Sequence, residues 1–422
     1  MSHPPVVSLK AFSGLSNVTP PEGTAQTFLK KVDNFDITKT GDLKKRKGYT
    51  RIDSGDYSSL WTSPSGLGCY GMKDGGLVKI SLPGPLITHL KYASLQKEVS
   101  FEEVDGVIYF ASEEVTGRIV NGEVKDWGLS KCKIIPRTTT VSGDLLEGDY
   151  QFSLTYVRDD LFESGSGPAA LIHLPNNSGF SFTLPSTSFA TKIRVYLSLR
   201  DGAVQYYAGE GLPGEVFTIT REPPLTNPFR LFNLDAPPVG SRVRYYKGRM
   251  YVAYKNLLWY SEPFLYEYFR LTSNYIAYPS DILDVFPVED GIYVASDRLY
   301  YLSGKSPESF NQTVKENLRV VPGSGQRISS AYLHMDNTPS GYKWLITTNE
   351  GIVALFNQGL VINMTSKNVS IEPAEDSASI FIQDEGNNAY LAMLKVDPSK
   401  PNNAGVSDLV EAKIIRNGVV IS

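Results

Sequence analysis

Three adjacent acid pairs, Asp159-Asp160, Glu102-Glu103 and Glu113-Glu114, are the first residues to test for chemistry. Hydrolysis of a glycosidic bond needs two carboxylates facing each other across a sugar. Neighbours along a strand point to opposite faces, so these pairs read as solvated loop acids instead. The repeated Ser-x-Asp-x-Gly-x-Thr-Trp box of sialidase-like propellers is absent. No Gly-x-Ser-x-Gly elbow stands between a strand and a helix. Ser164-Gly165-Ser166-Gly167 lies between predicted strands and reads as a flexible turn. Gly323-Ser324-Gly325 has no following Lys-Ser/Thr and no helix, which argues against a phosphate cradle. Cys69 and Cys132 are too few for a disulfide framework and read as small buried hydrophobes. His3, His89, His173 and His334 are scattered without metal-ligand spacing. No catalytic residue, metal or cofactor is expected, and the chain is not expected to be an enzyme.

Two basic clusters remain. Lys44, Lys45, Arg46, Lys47 and Arg51 form one, with Tyr49 among them; Arg242, Arg244, Lys247 and Arg249 form the other, interleaved with Tyr245 and Tyr246. The bland reading of each is a solvated strand edge, where Lys also blocks edge-to-edge pairing. The functional reading of the first is an anchoring contact with a neighbouring subunit or partner. A net charge of −4 implies no bulk affinity for nucleic acid or anionic membrane.

The elements that would carry these residues are β-strands. Val104-Asp105-Gly106-Val107-Ile108-Tyr109-Phe110-Ala111, Tyr246-Lys247-Gly248-Arg249-Met250-Tyr251-Val252-Ala253 and Glu289-Asp290-Gly291-Ile292-Tyr293-Val294-Ala295 are versions of one pattern. Each is followed by a second apolar run: Arg118-Ile119-Val120, Leu257-Leu258-Trp259-Tyr260 and Leu299-Tyr300-Tyr301-Leu302. A looser fourth copy is Trp344-Leu345-Ile346-Thr347, a turn at Asn349-Glu350-Gly351, then Ile352 to Phe356. A recurring strand-turn-strand unit predicts an all-β chain built as a β-propeller. Frequent Gly, Pro and Tyr suit many short strands joined by turns.

Four segments are expected. Residues 1–57 form an extended opening and a basic hairpin, with a short helical turn over Thr27 to Val32, a strand at Asp33 to Thr38 and a turn at Thr40-Gly41-Asp42. Residues 58–137 form the first blades, including a hairpin turn at Lys73-Asp74-Gly75-Gly76 and a strand at Trp127-Gly128-Leu129. Tyr150 to Val157, Phe180 to Leu184 and Ile193 to Leu199 alternate with period two. They predict about six strands of an inserted immunoglobulin-like or fibronectin-like β-sandwich over 138–222. Residues 223–422 hold the remaining blades and a closing segment. In it, Leu409-Val410 and Ile414-Ile415 fit a strand or a helical turn, and Asn417 to Ile421 a closing strand. No secretory signal and no run of the roughly 18 apolar residues needed to span a bilayer is visible. Synthesis as a soluble protein in the host cytoplasm is expected.

A resemblance emerges from the order of several motifs. Phe12-Ser13-Gly14-Leu15-Ser16-Asn17-Val18 opens the chain. Val32-Asp33-Asn34-Phe35-Asp36-Ile37-Thr38 then leads into Gly41-Asp42-Leu43-Lys44-Lys45-Arg46-Lys47-Gly48-Tyr49. Trp127-Gly128-Leu129, the stretch from Tyr150 to Ser164, Gly248 to Ala253 and Tyr260-Ser261-Glu262-Pro263 follow. In this order they resemble tail nozzle proteins (tail tubular protein B-like) of short-tailed bacteriophages. The resemblance implies a virion tail location, six copies in a ring, contact with adaptor and portal proteins and with tail fibres or spikes, and a central channel for double-stranded DNA. The hairpin residues Lys44, Lys45, Arg46, Lys47, Tyr49 and Arg51 are the candidate subunit or adaptor interface. A carbohydrate- or receptor-binding propeller of the tail is the alternative. The chain is short for the family, so a distal tip domain with a DNA-retaining gate is in doubt.

Overall fold

A computed structural model of the chain describes residues 11–16, 27–29, 35–37, 41–45, 50–82, 84, 86–329, 332, 339–365, 369, 371, 374–384, 387–396, 411–416 and 419–421. Among these residues the only helices are single 3-10 turns; everything else regular is β-strand. The chain divides into two compact units. One comprises 55–254 and 258–276, and the other 1–54, 255–257 and 277–422.

The opening contains β1 (Gly14–Leu15) and β2 (Phe28–Leu29), paired in parallel, and the antiparallel hairpin of β3 (Phe35–Ile37) and β4 (Leu43–Lys45). Phe28 and Leu29 are therefore strand, not the helical turn expected there. Their backbone pairs with Gly14 and Leu15 instead of with itself. The rest of that expected turn, Lys30 to Val32, lies outside the described residues, as do Arg46 to Tyr49.

The unit beginning at residue 55 starts with two four-stranded antiparallel meanders. The first is β5 (Tyr57–Thr62), β6 (Cys69–Lys73), β7 (Gly76–Ser81) and β8 (Leu86–His89). The second is β9 (Ser100–Val104), β10 (Val107–Ala111), β11 (Thr116–Val120) and β12 (Glu123–Lys125). Seven strands follow: β13 (Thr139–Leu145), β14 (Gly148–Val157), β15 (Ala170–Leu174), β16 (Ser178–Thr183), β17 (Lys192–Ser198), β18 (Gln205–Gly211) and β19 (Val216–Ile219). They make a three-stranded sheet, β13-β16-β19, and a four-stranded sheet, β15-β14-β17-β18. Both sheets fill one core. Leu145, Phe180, Phe182 and Ile219 come from the first; Phe152, Leu154, Tyr156, Ile193, Val195 and Leu197 come from the second. The meander pattern then resumes with β20 (Arg242–Tyr246), β21 (Arg249–Tyr254), β22 (Leu257–Glu262) and β23 (Leu265–Phe269), with β24 (Tyr275–Ala277) added against β22.

Three further meanders belong to the other unit. They are β25 (Asp284–Pro287), β26 (Gly291–Ala295), β27 (Leu299–Ser303) and β28 (Asn311–Glu316); then β29 (Gln326–Ser329), β30 (Tyr342–Thr348), β31 (Gly351–Leu355) and β32 (Val361–Asn363); then β33 (Ala374–Asp384), β34 (Asn387–Val396), β35 (Glu411–Arg416) and β36 (Val419–Ile421). Ile414-Ile415, open between strand and helical turn, is strand. Leu409-Val410 and Asn417-Gly418 lie outside the described residues.

Each of the four repeated motifs supplies the second strand of its sheet: β10, β21, β26 and β30. This position explains their composition. An interior strand covered on both faces needs an apolar run rather than alternation. In β10, Ile108 and Phe110 enter a core shared with β6 and β7, while Tyr109 and Ala111 enter one shared with β20 and β21. In β30, Leu345 and Trp344 likewise feed two different cores. Sheets stacked face to face in this way are the blade packing of a propeller. The Asp105-Gly106 and Lys247-Gly248 turns have φ of 52° and 77°, and 43° and 76°. Two consecutive left-handed residues make the tight hairpin that matches strand twist. The third copy differs: β25 and β26 are joined by residues 288–290, and Val288 N–H donates to the Gly291 carbonyl at 2.9 Å. Trp127-Gly128-Leu129 is a bend rather than a strand, because Gly128 takes φ of 86° and breaks the extended backbone. The Trp127 Nε1–H donates to the Tyr266 carbonyl at 2.9 Å and the ring is buried against Tyr109 and Phe269.

Candidate functional site

The densest polar constellation grows from the loop after β14. Arg158 N–H donates to the Phe162 carbonyl at 3.0 Å, and Leu161 N–H returns to the Arg158 carbonyl at 3.0 Å, closing a tight turn. The turn presents Asp160 to Arg158, whose Nε and Nη2 reach its two carboxylate oxygens at 3.0 and 2.8 Å. Arg118 of β11 donates to the same carboxylate at 3.1 Å and, through its other terminal nitrogen, to Glu267 of β23 at 3.1 Å. Tyr109 Oη donates to Glu267 at 3.2 Å. Asp160 is an exposed loop acid, as expected, and is also the junction of two arginines. The Arg158 hydrogen bonds, reinforced by Arg118, hold its carboxyl below the usual range. Burial, then the Glu267 charge, push the Tyr109 hydroxyl well up. A shallow cleft of about 460 Å³ opens beside it, lined by Lys91, Val124, Lys125, Asp126, Arg158, Asp159 and Asp160.

Of the other acids expected to be solvated, Asp159, Glu113 and Glu114 are exposed and Glu102 and Glu103 half-buried. Glu103 accepts from Ser63 Oγ at 2.5 Å and from Ser65 Oγ. Glu114 accepts from Gln96 N–H at 2.8 Å. These carboxylates are occupied in holding loops.

The loop continues inward. The Phe162 ring stacks on Tyr268, with centroids 5.2 Å apart, and Tyr268 Oη donates to the Glu163 carbonyl at 2.5 Å. The Glu163 carboxylate accepts from Thr155 Oγ1, Tyr196 Oη and Arg194 at 2.6, 2.7 and 2.6 Å. Ser164-Gly165-Ser166-Gly167, expected to be flexible, is buried. Three chain segments cross there. Ser164 N–H donates to the Tyr156 carbonyl, Ser166 N–H to the Leu231 carbonyl and Gly167 N–H to the Cys132 carbonyl. Backbone approaches this closely only where no side chain intervenes. A Cβ on Gly165 would lie 2.0 Å from the Leu234 carbonyl oxygen. Glycine was chosen here for contact, not for mobility.

The candidate interface residues are placed as follows. Lys44 and Lys45 are exposed on β4, opposite Asp36 and Phe35 in the hairpin register. Arg51 is exposed, with Nε and Nη2 donating at 2.7 Å to the carbonyls of Asp53 and Ser54. Arg46, Lys47 and Tyr49 lie outside the described residues. In the second basic cluster, Arg242, Arg244 and Arg249 are half-buried rather than solvated. Arg244 donates to Ser100 Oγ at 3.0 Å and Arg249 to the Ser261 carbonyl at 2.7 Å, with its guanidinium over the Tyr260 ring. These arginines brace strands.

The same sheet carries a row of partly exposed aromatics. Tyr245 and Tyr266 pack edge to face with centroids 5.9 Å apart, and Trp259 and Tyr275 at 4.9 Å. Arg118 and Glu267 were missed as partners. Their only sequence signal was a charge inside an apolar or aromatic run, Arg118-Ile119-Val120 and Tyr266-Glu267-Tyr268. Cys132 is buried and Cys69 half-buried. No helix among the described residues is long and apolar enough to cross a membrane, and none of their His, Cys, Asp and Glu side chains gather in a group able to hold a metal ion.

No protein-family model and no curated protein matches the chain. Solved structures do resemble it. BBS1N in complex with ARL6DN is 10% identical with a TM-score of 0.32, covering 82% of this chain and 93% of that one. Hsv2 of Kluyveromyces marxianus is 10% identical with a TM-score of 0.29, covering 81% and 93%. Apo AztD from Citrobacter koseri is 12% identical with a TM-score of 0.25, covering 76% and 87%.

Proposed function

We propose that this chain is a non-enzymatic structural subunit of a bacteriophage tail, forming the ring of a tail nozzle through which double-stranded DNA passes. The observation that carries the reading is the ordered series of nozzle-like motifs running from Phe12 to Pro263. The architecture is compatible with it. Stacked meanders and a seven-stranded, two-sheet module, which supports the sandwich reading, make stiff walls. The best-developed polar network ties sheets together, and its acid Asp160 is kept charged by two arginines rather than poised to donate a proton. A channel wall should not hold phosphates, because each neutralised phosphate strengthens binding. Lys44 and Lys45 are exposed on β4 and would meet an acidic surface of the adaptor.

Negative-stain microscopy of the purified protein, alone and mixed with its adaptor, tests the reading. Six-fold rings that join the adaptor are expected. A strictly monomeric protein that never joins adaptor or virions would sink it. The aromatic row of Tyr245, Tyr266, Trp259 and Tyr275 favours a second reading, a carbohydrate-binding module of the tail. Saturable quenching of tryptophan fluorescence by host surface glycans, lost in Trp259→Ala, would support that reading.

A further inference from the structure

In the last sheet, strands β33 and β34 carry apolar side chains on both faces. One face sends Tyr390, Ala392 and Leu394 into the core shared with β29 to β31. Strand alternation turns Ala389, Leu391 and Met393 to the other face, with Ile382, Ile380 and Ala378 opposite them on β33. There Phe12 and Leu29 of the opening pack against Ala389, and β1 and β3 lie against β36. The seat is only partly covered: Ile380, Ile382 and Met393 remain 52%, 38% and 48% exposed. Water against such a strip is unfavourable, and a partner that covers it is favoured by the burial of apolar surface.

The opening is held together as a piece of its own. Phe12 N–H donates to the Gly41 carbonyl at 2.9 Å, Ser13 N–H to the Thr27 carbonyl at 2.8 Å and Ser16 N–H to the Leu29 carbonyl at 2.9 Å. These bonds, with the β1-β2 and β3-β4 pairings, run within the opening. Its seat is the last sheet, where Leu29 packs against Ala389 and also against the core that this sheet shares with β29 to β31. The eleven residues 46–56 connect it to β5 and reach at most about 40 Å when extended.

A self-contained segment on an apolar seat, joined to the rest by a connection of that length, meets the conditions for exchange between identical chains. The same contacts form in trans as in cis, so exchange requires no new complementarity. We propose that in the assembled ring the opening segment of one copy sits on the last sheet of its neighbour, through Phe12 and Leu29 against Ala389. Head-to-tail exchange of this kind closes a ring when the rotation between copies is a whole fraction of a turn, and it brings the neighbour alongside Ile380, Ile382 and Met393. The proposal rests on the ring-forming reading above and adds the surface that joins the copies.

The test is the double variant Leu29→Cys/Ala389→Cys in a Cys69→Ser background, oxidised after assembly and run on a denaturing gel. Exchange gives a covalent ladder of two, three and more chains. A disulfide confined to single chains within intact rings places the segment in cis and overturns the exchange while the ring reading stands. No cross-link at all removes the contact and overturns it too. Protein that stays monomeric with adaptor overturns the ring reading and the exchange together. Phe12→Glu is the second variant: it should turn rings into monomers with an unchanged far-ultraviolet sheet spectrum, and rings that persist count against the exchange.

Discussion

At the scale of single residues, charge in this protein serves junctions. Asp160 is 28% exposed on its side chain, yet two guanidiniums converge on it. Such charge-assisted bonds contribute about 1.5–3 kcal/mol each when a partner is removed. Asp160→Asn should therefore destabilise the protein by roughly 1–2 kcal/mol at pH 7, after allowance for solvent screening. The pH dependence has a definite sign. Because the folded pKa is lowered, the contribution is fully present above the ordinary aspartate range near 4 and is lost as pH falls through the lowered value. Urea midpoints at pH 7 and pH 3 check this. The variant should fall short of the parent at pH 7, and the gap should narrow at pH 3. Lys343 shows the opposite problem. It is 1% exposed on β30, burial lowers its pKa, and its ammonium sits 4.6 Å from the Phe356 ring centroid. Nothing in the alternation of Tyr342-Lys343-Trp344 signals a buried cation.

At the scale of elements, the loop 158–167 does more than connect β14 to β15. It contacts β11 through Asp160, β23 through Phe162 and Glu163, and the segments around Cys132 and Leu231 through its serine-glycine run. The two-sheet module is thereby clamped to the meanders before and after it. Gly165→Ala tests the clamp, since its Cβ would overlap the Leu234 carbonyl oxygen. Overpacking of this order costs about 3 kcal/mol. The expected result is a lower denaturant midpoint with an unchanged slope, the mark of lost stability without a change in the surface exposed. An unaltered midpoint would show that the crossing relaxes freely. The Ser-Gly run was legible as an irregular segment and misleading about its character. Gly marks loose turns and tight crossings alike, and only the opposing backbone tells them apart.

At the scale of the whole molecule, the proposed assembly depends on surfaces that carry no repeat. Exchanging Lys44 and Lys45 for Glu reverses the charge of exposed positions on β4 and leaves the cores untouched. We expect rings to form as before and adaptor binding to weaken by about tenfold or more, with the parent's binding falling as salt rises. Titration of adaptor in low and high salt measures both. Equal binding by parent and variant would remove the hairpin from the adaptor contact.

The all-β class and the recurrence of a strand-turn-strand unit were determined by sequence alone. Their causes are local: left-handed turn residues, β-branched and aromatic runs, and period. Over 138–222 three alternating stretches were legible and about six strands expected; seven stand there. Tertiary structure decided which charges meet. Arg118, Asp160 and Glu267 are far apart in the chain, and no spacing rule joins them. It also decided that Phe28-Leu29 is strand, because a parallel partner supplies the hydrogen bonds a helical turn would have made for itself. Finally, it set the opening segment on the last sheet. Burial of Phe12 and Leu29 needs a surface, and that surface is built around Ala389, more than three hundred and fifty residues later in the chain.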